Sequence, residues 1–309
     1  MTVLAFRRGR PRSRPGPGPV PEAVLRALDF KVSRKIEGLL PGEHRSAAQG
    51  IGTELSTIRP YQPGDDVRRI DWKVTARTNQ PHVRVDVAER TVTTWLVLDT
   101  SPSMGFGTAE RRKWDVAEGV ALAMGHLASR RGGRLGVLTY GSSNSITHPP
   151  RPGRAGLRGM LLATQDDVAE EKTGPTSLGA ALQRLNSISR QRGLVVVVGD
   201  FRGPRDWPRP LTDLGYRHQV MAIEIVDPRE AEIPNVGQIV LMDPETGRKL
   251  RVDTSSAELR RQFADAAHSE RAEVGSALAA AAARHLRLST AGDWLRSLAG
   301  FLRTQGGQW

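Results

Sequence analysis

The sequence predicts an α/β protein with a doubly wound, mainly parallel sheet flanked by helices. From residue 91 onward, strand-like and helix-like segments alternate, which is the pattern of parallel strands joined by crossover helices. Leu194–Gly199 is apolar along its whole length, as a strand covered on both faces must be. The chain has 309 residues, enough to bury a large core, and no internal repeat points to a solenoid.

Taken in order, residues 1–21 read as a disordered tail, because Arg7 to Pro21 is basic and rich in Pro and Gly. The pair Arg7-Arg8 is not followed by an apolar stretch, which excludes an export signal. Residues 22–40 place Val24, Leu25, Leu28, Val32, Ile36 and Leu39 at helical spacing before the stop Pro41-Gly42. Gly50 to Asn79 reads as a polar loop. Val83–Val87 alternates as a strand does and is expected to pair, antiparallel, at the edge of the next strand, Thr91–Leu98. Residues 22–90 would then form an N-terminal segment of helix and loop wrapped on an α/β domain spanning 91–309.

Within that domain, Lys113–Arg130 carries Trp114, Ala117, Val120, Ala121, Met124 and Leu127 on one helical face. Arg134–Tyr140 is a strand, Leu157–Ala163 and Ser177–Gln191 are helices, and Arg217–Val226 follows Leu194–Gly199 as the next strand. Gln238–Met242 and Lys249–Asp253 flank Asp243-Pro244-Glu245-Thr246-Gly247, a turn signal that predicts an inserted β-hairpin. A long helix over about 256–284, a short strand at His285–Ser289 and a helix over 292–303 close the chain.

The chain has no cysteine, so disulfides, thiolate metal sites and thiol nucleophiles are excluded, and a reducing, cytoplasmic setting is expected. No apolar run approaches the roughly 18 residues of a membrane span. The net charge of +12 would suit an acidic partner, but the excess is spread along the chain and only three Tyr and six Phe are present. That is poor material for stacking bases and argues against nucleic acid.

The apolar run Trp95–Leu98 ends in Asp99-Thr100-Ser101-Pro102-Ser103-Met104. One carboxylate and two hydroxyls thus sit at the carboxyl end of a buried strand, where open α/β sheets bind ligands. Thr176, just before a helix, and Asp200, just after Leu194–Gly199, come to the same sheet edge. Hard oxygens of this kind suit Mg²⁺, with Mn²⁺ as the alternative ion. Each also has a plain reading as a helix cap or turn residue. No Gly-x-x-x-x-Gly-Lys-Ser/Thr loop is present, so the chain is not itself a P-loop ATPase. Ser101 lacks a Gly-x-Ser-x-Gly elbow, and the seven His show no metal-ligand spacing.

Asp99-x-Ser101-x-Ser103, Thr176 and Asp200 resemble the metal-ion-dependent adhesion site of von Willebrand factor type A domains, a Rossmann-like fold. The resemblance implies that these five residues ligate Mg²⁺ directly or through water, and that an acidic side chain of a protein partner completes the shell. Gly199-Asp200-Phe201 departs from the Thr-Asp-Gly frequent in that family. A second stretch, Arg59 to Arg77, with Arg59-x-Tyr61, Gly64-Asp65, Arg68-x-Ile70-Asp71-Trp72 and Ala76-Arg77, resembles the signature of the bacterial family called domain of unknown function 58. That resemblance covers about residues 22–303 and implies a MoxR-type AAA+ ATPase as partner.

The signature's own residues allow two readings. Arg59, Arg68, Arg69 and Arg77 alternate with Asp65, Asp66 and Asp71, with Tyr61, Ile70 and Trp72 available as core anchors, which describes a rigid clasp. The other reading is a docking surface, and mutual pairing of the charges favours the clasp. The expected function is a non-catalytic, Mg²⁺-dependent protein-binding adaptor. One rival is a Mg²⁺-dependent phosphoester hydrolase using Asp99 and Asp200, and another is a scaffold indifferent to metal.

Overall fold

The computed structural model describes residues 3–4, 55–86, 92–129, 133–142, 145–152, 177–242 and 247–305. The described residues fall into two compact units, 55–86 in one and 3–4 with those from 92 onward in the other. The elements begin with β1 (Val3–Leu4), β2 (Leu55–Pro60), α1 (Trp72–Thr78) and β3 (His82–Asp86). They continue with β4 (Thr93–Asp99), α2 (Lys113–Ser129), β5 (Arg134–Tyr140), β6 (Thr147–Pro152), α3 (Leu178–Ile188) and β7 (Gly193–Gly199). The last are α4 (Pro208–Gly215), β8 (Gln219–Val226), β9 (Gln238–Met242), β10 (Lys249–Asp253), α5 (Ala257–Ala280), β11 (Arg284–Ser289) and α6 (Trp294–Gln305).

The larger unit is built on a six-stranded sheet in the order β11-β8-β7-β4-β5-β6. All neighbours are parallel except β6, which runs antiparallel on β5. The chain moves outward from β4 to β5 and β6, then returns to β4's other side with β7 and moves outward again. The predicted doubly wound, mainly parallel α/β sheet is therefore present. Its topological switch point lies between β4 and β7, at whose carboxyl ends such sheets bind ligands.

Alternation along the strands fills two cores. Leu96, Leu98, Val196, Val198, Ile223 and Leu288 face α2 and α6 through Val120, Met124, Leu298 and Leu302. Trp95, Val97, Val195, Val197, Val220 and Ala222 face α3, α4 and α5 through Leu182, Leu185, Leu211, Leu214 and Leu278. Trp95–Leu98 in β4 and Leu194–Val198 in β7 are apolar, so the polar groups that follow them emerge together at the switch point.

Two elements escape sequence periodicity because of proline. β6 reads Thr-His-Pro-Pro-Arg-Pro and is tolerated because it lies at the sheet edge, where a missing N–H costs little. In α4, Pro208 and Pro210 fall in the first turn, where N–H groups have no intrahelical partner in any case. The hairpin β9–β10 forms antiparallel as expected. Val3–Leu4, inside the segment read as a disordered tail, instead adds a short antiparallel strand to β9. The helices expected at 22–40 and Leu157–Ala163 lie outside the described residues.

In the smaller unit β2 and β3 pair antiparallel. This corrects the pairing expected for Val83–Val87: β4 is a central strand with β5 and β7 on its two sides, so it offers no edge. The stretch expected to be loop contains β2 and α1. Periodicity missed α1 because Asp71 holds it by accepting from the N–H groups of Lys73 at 3.0 Å and Val74 at 3.2 Å. The second oxygen of Asp71 takes Arg84 Nε at 2.9 Å. Arg59 grips Asp65 with both guanidinium nitrogens, at 2.7 and 2.6 Å, across a turn where Gly64 has φ +106°.

Arg59 and Asp65 of the signature thus pair with each other, while Asp71 pairs with Arg84, which lies outside the signature. The anchoring role given to Trp72 is contradicted: it is 70% exposed. The reason is geometric. Asp71, Val74 and Thr75 turn inward, Thr75 Oγ1 accepting from His82 N–H at 3.0 Å, so Trp72 falls on the outer face of α1 with Lys73, Ala76 and Arg77.

Candidate metal centre

Asp99 ends β4 and Asp200 directly follows β7, adjacent parallel strands that pair Leu98 with Val198. The structure brings together Asp99, Ser101, Ser103 and Asp200, each less than 5% exposed; Thr176 lies outside the described residues. Ser101 N–H donates to Asp99 Oδ1 at 2.9 Å, closing the turn. Ser101 Oγ lies 2.9 Å from Ser103 Oγ, which donates to Asp200 Oδ2 at 2.8 Å. Tyr140 OH donates to Asp99 Oδ2 at 3.2 Å, and Arg202 N–H to Asp200 Oδ1 at 3.0 Å.

The capping explanation for the serines fails. Ser101 occupies the cap position of the short 3₁₀ turn Pro102–Gly105, yet its side chain makes no capping hydrogen bond. Helix α3 is capped by Ser177, whose Oγ accepts from Ala180 N–H at 3.0 Å. Both serine hydroxyls are spent on each other and on Asp200.

Sequence reasoning missed the cation of this cluster. Lys113, wholly buried, donates to Asp200 Oδ2 at 2.6 Å and to Glu230 Oε1 at 2.8 Å. Arg202 reaches the same Glu230 oxygen at 3.3 Å. A signal was available. Lys113 is in phase with Ala117, Val120, Ala121 and Met124 on the buried face of α2, and a lysine in an apolar stripe is buried only when paired. Glu230 was likewise readable as the end of Asp227-Pro-Arg-Glu230, a capping box.

The two carboxylates at the switch point are shifted in opposite directions. Burial and the neighbouring Asp200 push Asp99 up to about 7. Burial pushes Asp200 the same way, but the Lys113 ammonium outweighs it and holds Asp200 below the usual range. Burial together with Asp99 and Asp200 raises the Tyr140 phenol well above its ordinary value.

The donor set fits a small hard cation. All four side chains offer oxygen, the ligand atom that Mg²⁺ takes. Among the described residues no three His, Cys, Asp or Glu side chains converge on a metal-sized point. The site is therefore one of hydroxyls and two carboxylates, short of ligand charge.

Phe201 accounts for the departure from the resembled motif. It sits at φ +54°, a left-handed conformation that glycine adopts freely and that costs other residues about 1–2 kcal/mol. Its ring is buried edge-on against Trp207, with centroids 5.5 Å apart, so packing offsets the backbone cost and Asp200 keeps its place.

The rim of the site is tied to β8 through Asp227, fully buried. It accepts from Thr108 N–H at 2.8 Å, Thr108 Oγ1 at 2.5 Å, Arg229 N–H at 2.9 Å and Thr290 Oγ1 at 2.6 Å. Burial would raise its pKa, but the Thr108, Thr290 and Arg229 donors outweigh it and lower it. A carboxylate depressed on folding contributes stability that is complete above its unfolded pKa, about 3.9, and is lost as pH falls through the folded value. Asp227→Asn is expected to cost about 1.5–3 kcal/mol at neutral pH. Urea unfolding from pH 7 to pH 3 should also show a shallower acid loss in the variant than in the wild type.

A family model described as protein of unknown function DUF58 matches residues 57–273. Two proteins described as uncharacterized, from Mycobacterium bovis and Mycobacterium tuberculosis, are each 42% identical over 287 residues, covering 92% of this chain and 89% of theirs. Among solved structures, the hypothetical protein BatB of Bacteroides thetaiotaomicron aligns with 69% of this chain and 98% of its own at 13% identity and a TM-score of 0.45. The SpRpn10 VWA domain aligns with 68% of this chain and 94% of its own at 14% identity and a TM-score of 0.37.

Proposed function

The chain belongs to the DUF58 family, and from that premise we propose that it is a non-catalytic protein-binding adaptor whose switch-point site holds Mg²⁺. The observation that carries this reading is the convergence of Asp99, Ser101, Ser103 and Asp200 at the carboxyl ends of β4 and β7, with both hydroxyls turned to each other and to Asp200 rather than to a helix end. Ser101 and Ser103 would be direct ligands, with Asp99, Asp200 and Thr176 completing the protein's share. When bound, the ion supplies a coordination position for a carboxylate of the partner.

The chain's own groups suit holding rather than turnover. Asp200, the carboxylate that touches a serine hydroxyl, already takes the Lys113 ammonium on the same oxygen, which weakens it as a proton acceptor. The Asp99–Ser101 turn is closed by Ser101 N–H donating to the Asp99 carboxylate. Such rigidity favours preorganised binding of one side chain. Among the described residues no helix is long and apolar enough to cross a membrane, and we place the adaptor in the cytoplasm beside a MoxR-type AAA+ ATPase. That partner would supply the nucleotide chemistry for which this sequence has no loop.

The test is capture of a MoxR-type ATPase from the same organism by the full-length chain. Capture in Mg²⁺ that is lost in EDTA and in Asp99→Ala is the expected result. Capture unchanged by both would remove the metal from the interaction, and failure to capture would remove the ATPase.

A further inference from the structure

We propose that the outer face of α1, centred on Trp72, is a docking surface for an acidic protein segment that carries a bulky apolar side chain. This goes beyond the metal-site reading and does not depend on it. Trp72 is 70% exposed and Val67, in the preceding 3₁₀ turn, is 60% exposed. Tryptophan is seldom left so open on a surface without a partner, and it is among the residues that dominate binding interfaces.

The charge around Trp72 is positive because cations outnumber the acids left without one. Asp65 is neutralised by Arg59 and Asp71 by Arg84, while Asp66 keeps its charge and accepts from Arg68 N–H at 3.0 Å. Lys73 and Arg77 lie beside Trp72 on the exposed face, with Arg77 Nε held along the helix by Lys73 O at 3.3 Å. Arg68 is exposed in the 3₁₀ turn that precedes α1. The Asp71 cap and the Thr75–His82 bond fix α1 on β3, so the face is presented without a large ordering cost.

An exposed tryptophan flanked by Lys73 and Arg77, on a chain of net charge +12, is complementary to a negatively charged protein segment. Other anionic partners fit less well. A strand of nucleic acid needs successive aromatic platforms, and this face has one. A membrane-surface helix needs a broad apolar face, and α1 has seven residues with Trp72 as the one large apolar side chain on its outer face.

The test uses full-length protein labelled with 5-fluorotryptophan, the Trp72 signal being assigned with Trp72→Phe. The probes are peptides rich in Asp and Glu with a single Leu or Phe, their Asn/Gln counterparts, phosphatidylserine vesicles and oligo-dT. The acidic peptides should shift the Trp72 fluorine signal. Their binding should weaken about tenfold in Trp72→Ala and in the Arg68→Glu/Lys73→Glu double variant, with the Tm unchanged. The Asn/Gln counterparts should not bind. Absence of any acidic-peptide binding, binding indifferent to Trp72→Ala, or a Trp72 shift produced by vesicles or oligo-dT in place of the peptides would overturn the proposal.

Discussion

Replacing Lys113 by methionine is expected to cost about 3–5 kcal/mol, because it leaves Asp200 and Glu230 buried without the ammonium between them. The methionine matches the volume of the lysine stem, so the loss reports charge rather than a cavity. Arg202, at 3.3 Å from Glu230, cannot replace contacts at 2.6 and 2.8 Å to two carboxylates at once. Urea unfolding at pH 7 should show the midpoint falling with the slope unchanged. A loss below about 1 kcal/mol, the range of exposed pairs, would contradict the role given to Lys113.

Gly141→Ala is expected to damage the site itself. Gly141 follows β5 at φ +90°, and a Cβ there would lie 2.8 Å from the Ser101 backbone nitrogen and 2.9 Å from Asp99 Oδ1. The left-handed conformation costs alanine about 1–2 kcal/mol, and overpacking adds about 1–3 kcal/mol. Relief of the clash requires the Asp99–Ser101 turn to move, which separates the serine hydroxyls from Asp200. The variant should therefore fold with reduced stability and lose metal binding together, as read by thermal unfolding and by Mn²⁺ titration. Full metal binding in a folded Gly141→Ala protein would show that this turn does not set the site.

Much of this architecture was legible because burial leaves a clear trace in sequence. The run Leu194–Gly199 can only be a strand covered on both faces, and the carboxylates that end it and Trp95–Leu98 fall side by side once those strands are parallel neighbours. Proline hid β6 and α4, since a residue that breaks a central strand or a helix interior is harmless at a sheet edge or in a first turn. Lys113 was hidden differently. It falls outside the apolar face read over Lys113–Arg130, and only partners distant in sequence, Asp200 and Glu230, make its burial possible. Trp72 shows the reverse error: an aromatic two residues after Ile70 reads as core, yet the Asp71 cap decides which face of α1 turns inward.

The most direct measurement is titration of the full-length chain with Mn²⁺ followed by the electron paramagnetic resonance signal of the free ion. A single bound Mn²⁺ per chain, displaced by Mg²⁺ and abolished in the Ser101→Ala/Ser103→Ala double variant, is the expected result. Mn²⁺ that stays free in the wild-type titration, or that binds equally well without the two hydroxyls, would contradict a metal site at the β4–β7 switch point.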